Sequence, residues 1–291
     1  MKNIATFSII GFDPETEELG IAVQSKFLGV GAVVPWAKAG VGAIATQAMA
    51  NLHYGELGLE LLERGYSAEE TLKALIALDP DHEERQVGIV DAKGNGITYT
   101  GKNCFSYAGG FCGRNFACQG NILVGEETVT KLKEVFLSSK GTMAERLVSA
   151  LDAAQNAGGD KRGRQSAALL VVKDKGSYGG YNDRAIDLRV DDHPEPIKEL
   201  LRLLKLHKMY FQKTKEEEKL SAEHNTVVKL QESLGKLGYY SGPLNGEYDG
   251  ETRKSYEQFC GVENFEERMV KGPWLDRNVL EFLEKKADDV K

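Results

Sequence analysis

Alternating apolar and polar side chains near the start of the chain predict a β-hairpin. Residues 6–12 and 19–26 are rich in Ile, Val and Phe, and the Asp-Pro pair in residues 13–16 is typical of a turn. Successive side chains of a strand face opposite ways, so Thr6 and Ser8 share one face of the first arm. Ser25 and Lys26 end the second arm on opposite faces. These residues are also consistent with an edge hairpin whose Thr and Ser are only good strand formers.

Further strands and helices are predicted in blocks. The predicted strands are residues 29–36, 40–47, 86–91, 96–100, 116–119, 166–172 and 185–190. The predicted helices are residues 53–64, 67–78, 126–138, 142–157 and the segment that begins at Asp192. Because strands do not alternate singly with helices, a doubly wound parallel sheet is disfavoured. The order favours an α+β fold in which two packed sheets lie between helical layers.

The last third of the chain has a different pattern. Residues 213–219 form a charge run that is typical of a solvated helix with ion pairs four residues apart. Helical spacing of apolar residues resumes after residue 226, and a turn-rich loop covers residues 238–246. We therefore predict an α+β domain in residues 1–208, a charged helical linker in residues 209–222 and a small three-helix domain in residues 223–291.

Composition and charge restrict the classes of partner. The chain has 291 residues, of which 41% are hydrophobic and 28% charged, as in ordinary globular proteins. Its net charge of -7 argues against a general nucleic-acid binder, which needs a basic surface. No apolar signal core follows the first residues, and no apolar run could span a membrane. We expect a cytoplasmic protein without membrane or nucleic-acid partners.

The cysteine pattern agrees with a reducing compartment. Cys104, Cys112, Cys118 and Cys260 form no C-x-x-C pair, and no His stands at zinc-finger spacing from them. We interpret them as free thiols, although a bridge between Cys104 and Cys112 stays open.

Residues 4–208 resemble a known protein superfamily. The order of elements and the opening strand with Thr6 resemble the N-terminal-nucleophile (Ntn) hydrolases, which include the proteasome subunits. More narrowly, the chain resembles one uncharacterised bacterial family that is assigned to this superfamily. The matching segments are residues 6–9, 20–27, 31–36, 45–48, 119–121 and 158–168. The resemblance implies a four-layer αββα sandwich and amide hydrolysis, without naming a substrate.

The end of the chain resembles the small helical peptidoglycan-binding module. The matching positions are Leu230, Gln231, Leu234, residues 237–240, residues 242–246, Tyr248, Thr252, Arg253 and Phe259. Cys260 stands where that module usually has Gln, and the stretch after Gly261 departs from its usual ending. The resemblance implies peptidoglycan fragments as a partner of this domain.

The superfamily resemblance also implies a set of catalytic residues. In Ntn hydrolases the nucleophile is the side chain of a newly freed N-terminal residue, and its own α-amine accepts the proton. Here that requires loss of residues 1–5, which would expose Thr6. Ser25 and Lys26 are the nearest polar groups for lowering the pKa of the amine or orienting a proton. We expect no metal and no cofactor. The proteasome pattern has a lysine at the start of the third strand, and residues 30–34 contain none.

Five further residues are candidates for binding a small peptide or another amide substrate. Thr46 and Gln47 are predicted to line the cleft, and Asn121 lies in a segment that offers amide donors to an oxyanion. Arg162 and Arg164 precede a strand in a Gly-rich loop, where arginines often bind carboxylate or phosphate. The competing interpretation is a solvated loop whose arginines pair with Asp160 and nearby acids.

Other functions remain open. The first alternative is a non-catalytic binding protein that uses the αββα fold as a scaffold and the C-terminal module for recognition. The second is a metal-dependent hydrolase, disfavoured, built on Asp187, Asp191, Asp192 and His193. Strand edges and helical faces also leave a homo-oligomer open, and no residue pattern proves one.

Overall fold

The computed structural model describes residues 6–290, which contain two compact units. The strands are β1 Thr6–Asp13, β2 Glu18–Ser25, β3 Pro35–Lys38, β4 Gly42–Ala48, β5 Arg85–Asp91, β6 Gly96–Thr100, β7 Gly109–Gly113, β8 Phe116–Asn121, β9 Ser166–Val172, β10 Arg184–Val190, β11 Lys219–Ser221 and β12 Trp274–Asp276. The α-helices are α1 His53–Glu63, α2 Ala68–Leu78, α3 Glu127–Ser138, α4 Met143–Asn156, α5 Pro196–Phe211, α6 His224–Lys236, α7 Gly250–Val262 and α8 Arg277–Asp288. Within the described residues, each helix is too short or too polar to cross a lipid bilayer.

The first unit, which extends to Leu204, is a mixed α+β structure with two antiparallel sheets. The six-stranded sheet has the order β10-β9-β2-β1-β8-β7, and the four-stranded sheet has the order β3-β4-β5-β6. The predicted hairpin of β1 and β2 is confirmed, and its register pairs Thr6 with Ser25. On its other side β1 pairs with β8, so Thr6 also faces Asn121. The start of β1 is therefore an interior position of the larger sheet.

Three apolar cores hold the first unit together. One contains side chains of both sheets, including Ile10 and Val23 of the larger sheet and Ala43 and Val90 of the smaller one. A second joins the larger sheet to α3, α4 and the first turns of α5. A third joins the smaller sheet to α1 and α2. Each sheet therefore buries one face against the other sheet and the opposite face against helices.

Two strand predictions in this unit need correction. Residues 29–36 do not form one strand, because Gly29 is left-handed (φ 66°) and Val30–Ala32 form a 3-10 turn before β3 begins. The Ser166 hydroxyl accepts the Val30 N–H at 3.1 Å and so satisfies a donor of this turn. β7 was not predicted because three of its five residues are Gly, which is depleted in strands.

The second unit, from Lys205 onward, has its own core of aromatic and aliphatic side chains from α6, α7 and α8. The expected helical linker in residues 209–222 is wrong as a continuous helix. α5 ends at Phe211, a 3-10 turn covers Glu216–Glu218, and β11 pairs with β12 in a two-stranded antiparallel sheet. This stretch departs from a helix because several of its groups bind a buried cation of the second unit, Arg268.

Arg268 is 4% exposed and binds groups from several parts of the second unit. Its guanidinium donates to the Asp276 carboxylate at 2.9 Å and to the Glu218 carboxylate at 3.1 Å. It also donates to the carbonyl oxygens of Met209 and Lys208, at 3.0 and 3.2 Å. A buried charge needs such compensation, so the stretch from Lys208 to Glu218 belongs to the packed unit.

Candidate functional site

The strongest candidate site begins at the first residue of β1. The Thr6 hydroxyl donates a hydrogen bond to the Ser25 hydroxyl at 3.1 Å, and both side chains are fully buried. The antiparallel register brings the start of β1, the end of β2 and the end of β8 together, so Thr6 lies between Ser25 and Asn121. The two predicted hydroxyl residues are therefore in direct contact.

A series of hydrogen-bonded amide side chains extends from Thr6 into the space between the sheets. The Ser8 hydroxyl donates to Gln47 Oε1 at 2.6 Å and accepts from Gln119 Nε2 at 2.8 Å. Gln47 Nε2 donates to Gln86 Oε1 at 2.8 Å and to the Thr6 carbonyl oxygen at 3.3 Å. Both sheets contribute, because β1 and β8 belong to the larger sheet and β4 and β5 to the smaller one.

Gln86 connects this series of side chains to the end of β8. Its Nε2 donates to the Gly120 carbonyl oxygen at 2.8 Å and to Thr100 Oγ1 at 2.9 Å, and its Oε1 accepts from Asn121 Nδ2 at 3.0 Å. A buried amide costs free energy unless its donors and acceptors are paired, and these are. We call this set the amide network; its members are Thr6, Ser8, Gln47, Gln86, Gln119 and Asn121, and none of them carries a charge.

A small cavity lies beside the amide network. Its volume is about 20 Å³, enough for about one water molecule. It is lined by Asn121 together with Ala48, Met49, Glu84, Asn103, Cys104 and Phe105. Ala48 has φ 67°, a strained conformation for a residue other than Gly, at the end of β4. Burial raises the pKa of the Cys104 thiol to about 11, so this wall of the cavity is an uncharged thiol.

Lys26, expected to assist catalysis, is turned away from the amide network. Its backbone N–H donates to Asp160 Oδ2 at 2.8 Å, and its ammonium group donates to the Arg164 carbonyl oxygen at 3.3 Å. Neighbouring residues of a strand face opposite ways, so Ser25 and Lys26 cannot both reach Thr6. Of the two, Ser25 is in contact with Thr6.

The arginine candidates lie in the loop before β9. Arg162 donates to Asp160 through its backbone N–H at 2.8 Å and through Nη2 at 3.1 Å, and Asp160 is 3% exposed. Arg164 is more exposed, and its Nη1 lies 3.8 Å from the Glu195 carboxylate. Arg162 therefore serves the turn around Asp160, whereas Arg164 keeps more of its guanidinium in solvent.

The two substrate-binding candidates on β4, Thr46 and Gln47, lie on opposite faces of their sheet. Gln47 faces the amide network, whereas the Thr46 hydroxyl donates to the Asn51 carbonyl oxygen at 3.2 Å. Ile44, two residues earlier, packs in the core that contains α1 and α2. Period-two alternation thus places Thr46 on the helix-covered face of the sheet, away from Thr6. Asn121, like Gln47, lies in the amide network.

Next to the helix-covered face of the smaller sheet lies a buried ion pair with a structural role. Arg85 Nε and Asn51 Nδ2 both donate to Asp79 Oδ2, at 2.9 and 3.1 Å. Burial alone would raise the pKa of the Asp79 carboxyl, but these hydrogen bonds overcome it and hold that pKa well below its usual range. Asn51 Oδ1 also accepts the His53 N–H at 3.1 Å, as expected for a residue at the start of α1.

Three members of the Asp-His cluster near β10 are engaged in other contacts. Asp187 pairs with Arg184 at 2.5 Å and with Arg189 at 2.9 Å. Asp192 Oδ1 accepts from Gln165 Nε2, and His193 Nδ1 accepts the Glu195 N–H. Between residues 6 and 290, no group of three or more His, Cys, Asp or Glu side chains is arranged to hold a metal ion.

Sequence reasoning missed Gln86 and gave no role to Ser8. In both cases the sequence places a polar residue in an apolar strand, on the face that also carries buried aliphatic residues, and this pattern could have indicated a buried polar contact. Such positions are compatible with burial only when a partner is available, and the partner lies in the other sheet.

Two family models match parts of the chain. Residues 6–200 match the model of a "Family of unknown function (DUF1028)", and residues 210–283 match that of a "Putative peptidoglycan binding domain". The crystal structure of protein SPO2555 from Silicibacter pomeroyi, a DUF1028 protein, is 30% identical, with a TM-score of 0.65. That similarity covers 70% of this chain and 86% of that chain. No curated protein matches the sequence.

Proposed function

The chain belongs to the DUF1028 family, and from the site at its first strand we propose that it is an amide hydrolase of the Ntn type. The proposed substrate is a small peptide or a cell-wall-derived amide, and Thr6 is the proposed nucleophile. One observation carries the proposal: the Thr6 hydroxyl lies 3.1 Å from the Ser25 hydroxyl at the head of an interior strand.

The packing of the first unit supports the proposal. Its two sheets share an apolar core, and each sheet is covered by helices on its other face. This is the arrangement expected of an αββα sandwich, the fold that the resemblance to Ntn hydrolases implies. A fold does not determine a reaction, so we infer hydrolysis from the residues around Thr6.

The proposed chemistry requires cleavage of the bond between Ala5 and Thr6. The freed α-amine would then stand on the same residue as the hydroxyl and accept its proton. Thr6 Oγ1 would bond to the substrate carbonyl carbon, the C–N bond would break as the leaving nitrogen receives the proton, and water would hydrolyse the resulting ester. Ser25 would orient the Thr6 hydroxyl, since the two side chains are hydrogen-bonded.

The amide network has a supporting role in this proposal. Gln47 holds the Thr6 carbonyl oxygen, and Asn121, which pairs with Thr6 in the sheet, lines the small cavity. Preorganised amides of this kind can stabilise a developing oxyanion without a charged group. Arg164, the more exposed loop arginine, is the proposed contact for a substrate carboxylate. The second unit would hold peptidoglycan-related material, in line with its family match.

The first experiment is intact mass and N-terminal sequencing of the protein purified from its own host. We expect a chain that begins at Thr6, a Thr6→Ala variant that keeps residues 1–5, and a Thr6→Ser variant that is still cleaved. Hydrolysis of a panel of dipeptides and cell-wall peptides should be lost in Thr6→Ala. The control is Thr46→Val, which removes a hydroxyl on the helix-covered face of the smaller sheet.

The same experiment distinguishes the alternative function, that of a non-catalytic binding protein. An uncleaved chain in the native host, with unchanged amide turnover in Thr6→Ala, would contradict the hydrolase proposal. The buried position of Thr6 favours this alternative, a binding protein built on the same fold. Ligands would then be sought near Asn121 and Arg164.

A further inference from the structure

The second unit contains a cleft that the hydrolase proposal does not use. Its volume is about 550 Å³, in the range of small-ligand sites. One wall is α7 and the loop before it, and the other is the segment of residues 266–272. The lining residues are Tyr248, Arg253, Tyr256, Glu257, Glu266, Met269, Val270, Lys271 and Gly272.

Each wall of this cleft carries one positive and one negative side chain. Arg253 and Glu257 project from α7, and Glu266 and Lys271 belong to the opposite wall. Within residues 6–290, none of these four side chains has an oppositely charged partner within 4 Å. Elsewhere in this unit Lys236 pairs with Asp288, and Lys286 pairs with Glu263. The cleft therefore offers unpaired charge of both signs.

The floor of the cleft is aromatic. The Arg253 guanidinium lies 5.4 Å from the centroid of the Tyr248 ring, a cation–π contact that holds it over the ring. Tyr256 is 3% exposed and packs in the core beneath. Burial raises the pKa of Tyr248 to about 12, so its phenol is a neutral hydrogen-bonding group. An apolar floor with polar rims is the usual composition of a ligand site.

Both walls are fixed by buried polar contacts. Gln231 is fully buried, accepts the Gly246 N–H at 3.0 Å and donates to Asn245 and Thr252, so it sets the loop that carries Tyr248. On the opposite wall, Arg268 is locked by Asp276. Preorganised walls reduce the entropy that binding must overcome.

We propose that this cleft binds a short peptide that carries both a carboxylate and an ammonium group. The positive side chains of the two walls would receive the carboxylate, and the acidic side chains would receive the ammonium group. A neutral glycan would leave all four charges uncompensated, so the peptide part of peptidoglycan fits the cleft better than its sugars. The proposal rests on the recognition role suggested for the second unit, and it is independent of hydrolysis at Thr6.

The test is calorimetric titration of the full chain that carries Thr6→Ala, so that no probe is consumed. The probes are a synthetic peptidoglycan stem pentapeptide with a lysine, the same peptide with every amine acetylated and every carboxyl group amidated, and chitotetraose. We expect binding of the first, binding at least about tenfold weaker for the second, and none for the sugar. Binding of the sugar in preference to the peptide would overturn the proposal.

Variants locate the site. Arg253→Gln and Lys271→Gln should each weaken binding of the pentapeptide by about tenfold, the loss of one charge-assisted contact. Lys254→Gln is the matched control, because it removes a charge from α7 next to Arg253 at a position outside the cleft. Far-UV circular dichroism checks that each variant is folded. Equal affinities for the parent chain, Arg253→Gln and Lys271→Gln would contradict the assignment even if hydrolysis at Thr6 were established.

Discussion

At the residue scale, two buried glutamines of the first unit have opposite hydrogen-bonding situations. Gln47 belongs to the amide network, where both of its side-chain atoms are paired. Gln24 is equally buried, next to Phe7 and Ala167, and neither of its side-chain amide atoms has a partner in the part of the chain that the structure describes. The same residue type therefore stabilises the fold in one place and costs free energy in the other.

Substitution by Met, which has nearly the same length, should separate the two cases. Gln24→Met should raise the free energy of unfolding by about 1 kcal/mol, because it removes buried unpaired groups. Gln47→Met should lower it by about 2–3 kcal/mol, because Ser8 and Gln86 lose partners. Urea unfolding followed by Trp36 fluorescence in a Trp274→Phe background measures both. Effects of the same sign would contradict the contrast between the two glutamines.

The Asp79 ion pair makes a pH-dependent contribution to stability. Its pKa is depressed in the folded state, so the contribution is complete above the ordinary carboxyl pKa of about 4 and is lost as pH falls towards the depressed value. Asp79→Asn should be less stable at neutral pH by about 3 kcal/mol, since Arg85 loses its buried partner.

The pH series supplies the control for this prediction. Urea unfolding of the parent chain should show stability falling between about pH 5 and pH 3, and Asp79→Asn should show a smaller fall over that window. Parallel curves for the two proteins would mean that other carboxylates cause the acid sensitivity.

The sequence predicted the orientation of side chains correctly where the pattern within a single strand determines it. Period two within the hairpin indicated that Ser25 and Lys26 face opposite ways, and Ser25 does contact Thr6. It did not determine which face of β4 meets the other sheet, so Thr46 was expected in the cleft beside Gln47. That choice depends on packing between sheets, which no local pattern contains.

At the element scale, helix boundaries followed from capping chemistry. The capping boxes predicted at Ser67–Glu70 and Thr142–Glu145 are both present with reciprocal hydrogen bonds, because each is complete within four residues. The glycine-rich strand β7 was missed for the opposite reason. Its pairing comes from β8, and its own residues have little preference for a strand.

The place where β6 meets β7 and β8 should tolerate no added side chain. A Cβ atom at Gly96 would lie 2.1 Å from the Phe116 carbonyl oxygen and 2.6 Å from that of Gly113, and both obstacles are backbone. Gly96→Ala should lower the stability of the first unit by about 1–3 kcal/mol. The matched control is Gly125→Ala, since nothing lies within 4 Å of a Cβ there. Similar melting temperatures for the two variants would refute this expectation.

At the scale of the whole molecule, the chain is two units with separate cores. The sequence predicted a boundary after residue 208, where a charge run interrupts the apolar pattern, and the structure divides the chain after Leu204. The role of the charged stretch was not predictable, since it depends on Arg268, which lies some fifty residues away in sequence. The finer assignment of the first unit as an Ntn sandwich remains our proposal.

The position of the boundary can be tested with two fragments. Residues 205–291 should fold alone, because they contain the groups that compensate Arg268, including Glu218 and the Met209 carbonyl oxygen. Residues 223–291 lack β11 and those two partners, so a buried cation would be left undercompensated. We expect a cooperative thermal transition of Trp274 fluorescence only for the longer fragment. Equal stability of the two would favour a boundary at residue 223.

The uncharged character of the amide network has a kinetic consequence. Amides and hydroxyls neither gain nor lose protons across the ordinary range of buffers, so the surroundings of Thr6 would be the same at pH 5 as at pH 9. If Thr6 is the nucleophile, the rate should follow the titration of one group, its freed α-amine, with an apparent pKa below the usual value of about 8, because burial disfavours the charged amine. A single ascending limb, rather than a bell-shaped profile, would be the kinetic signature of this site.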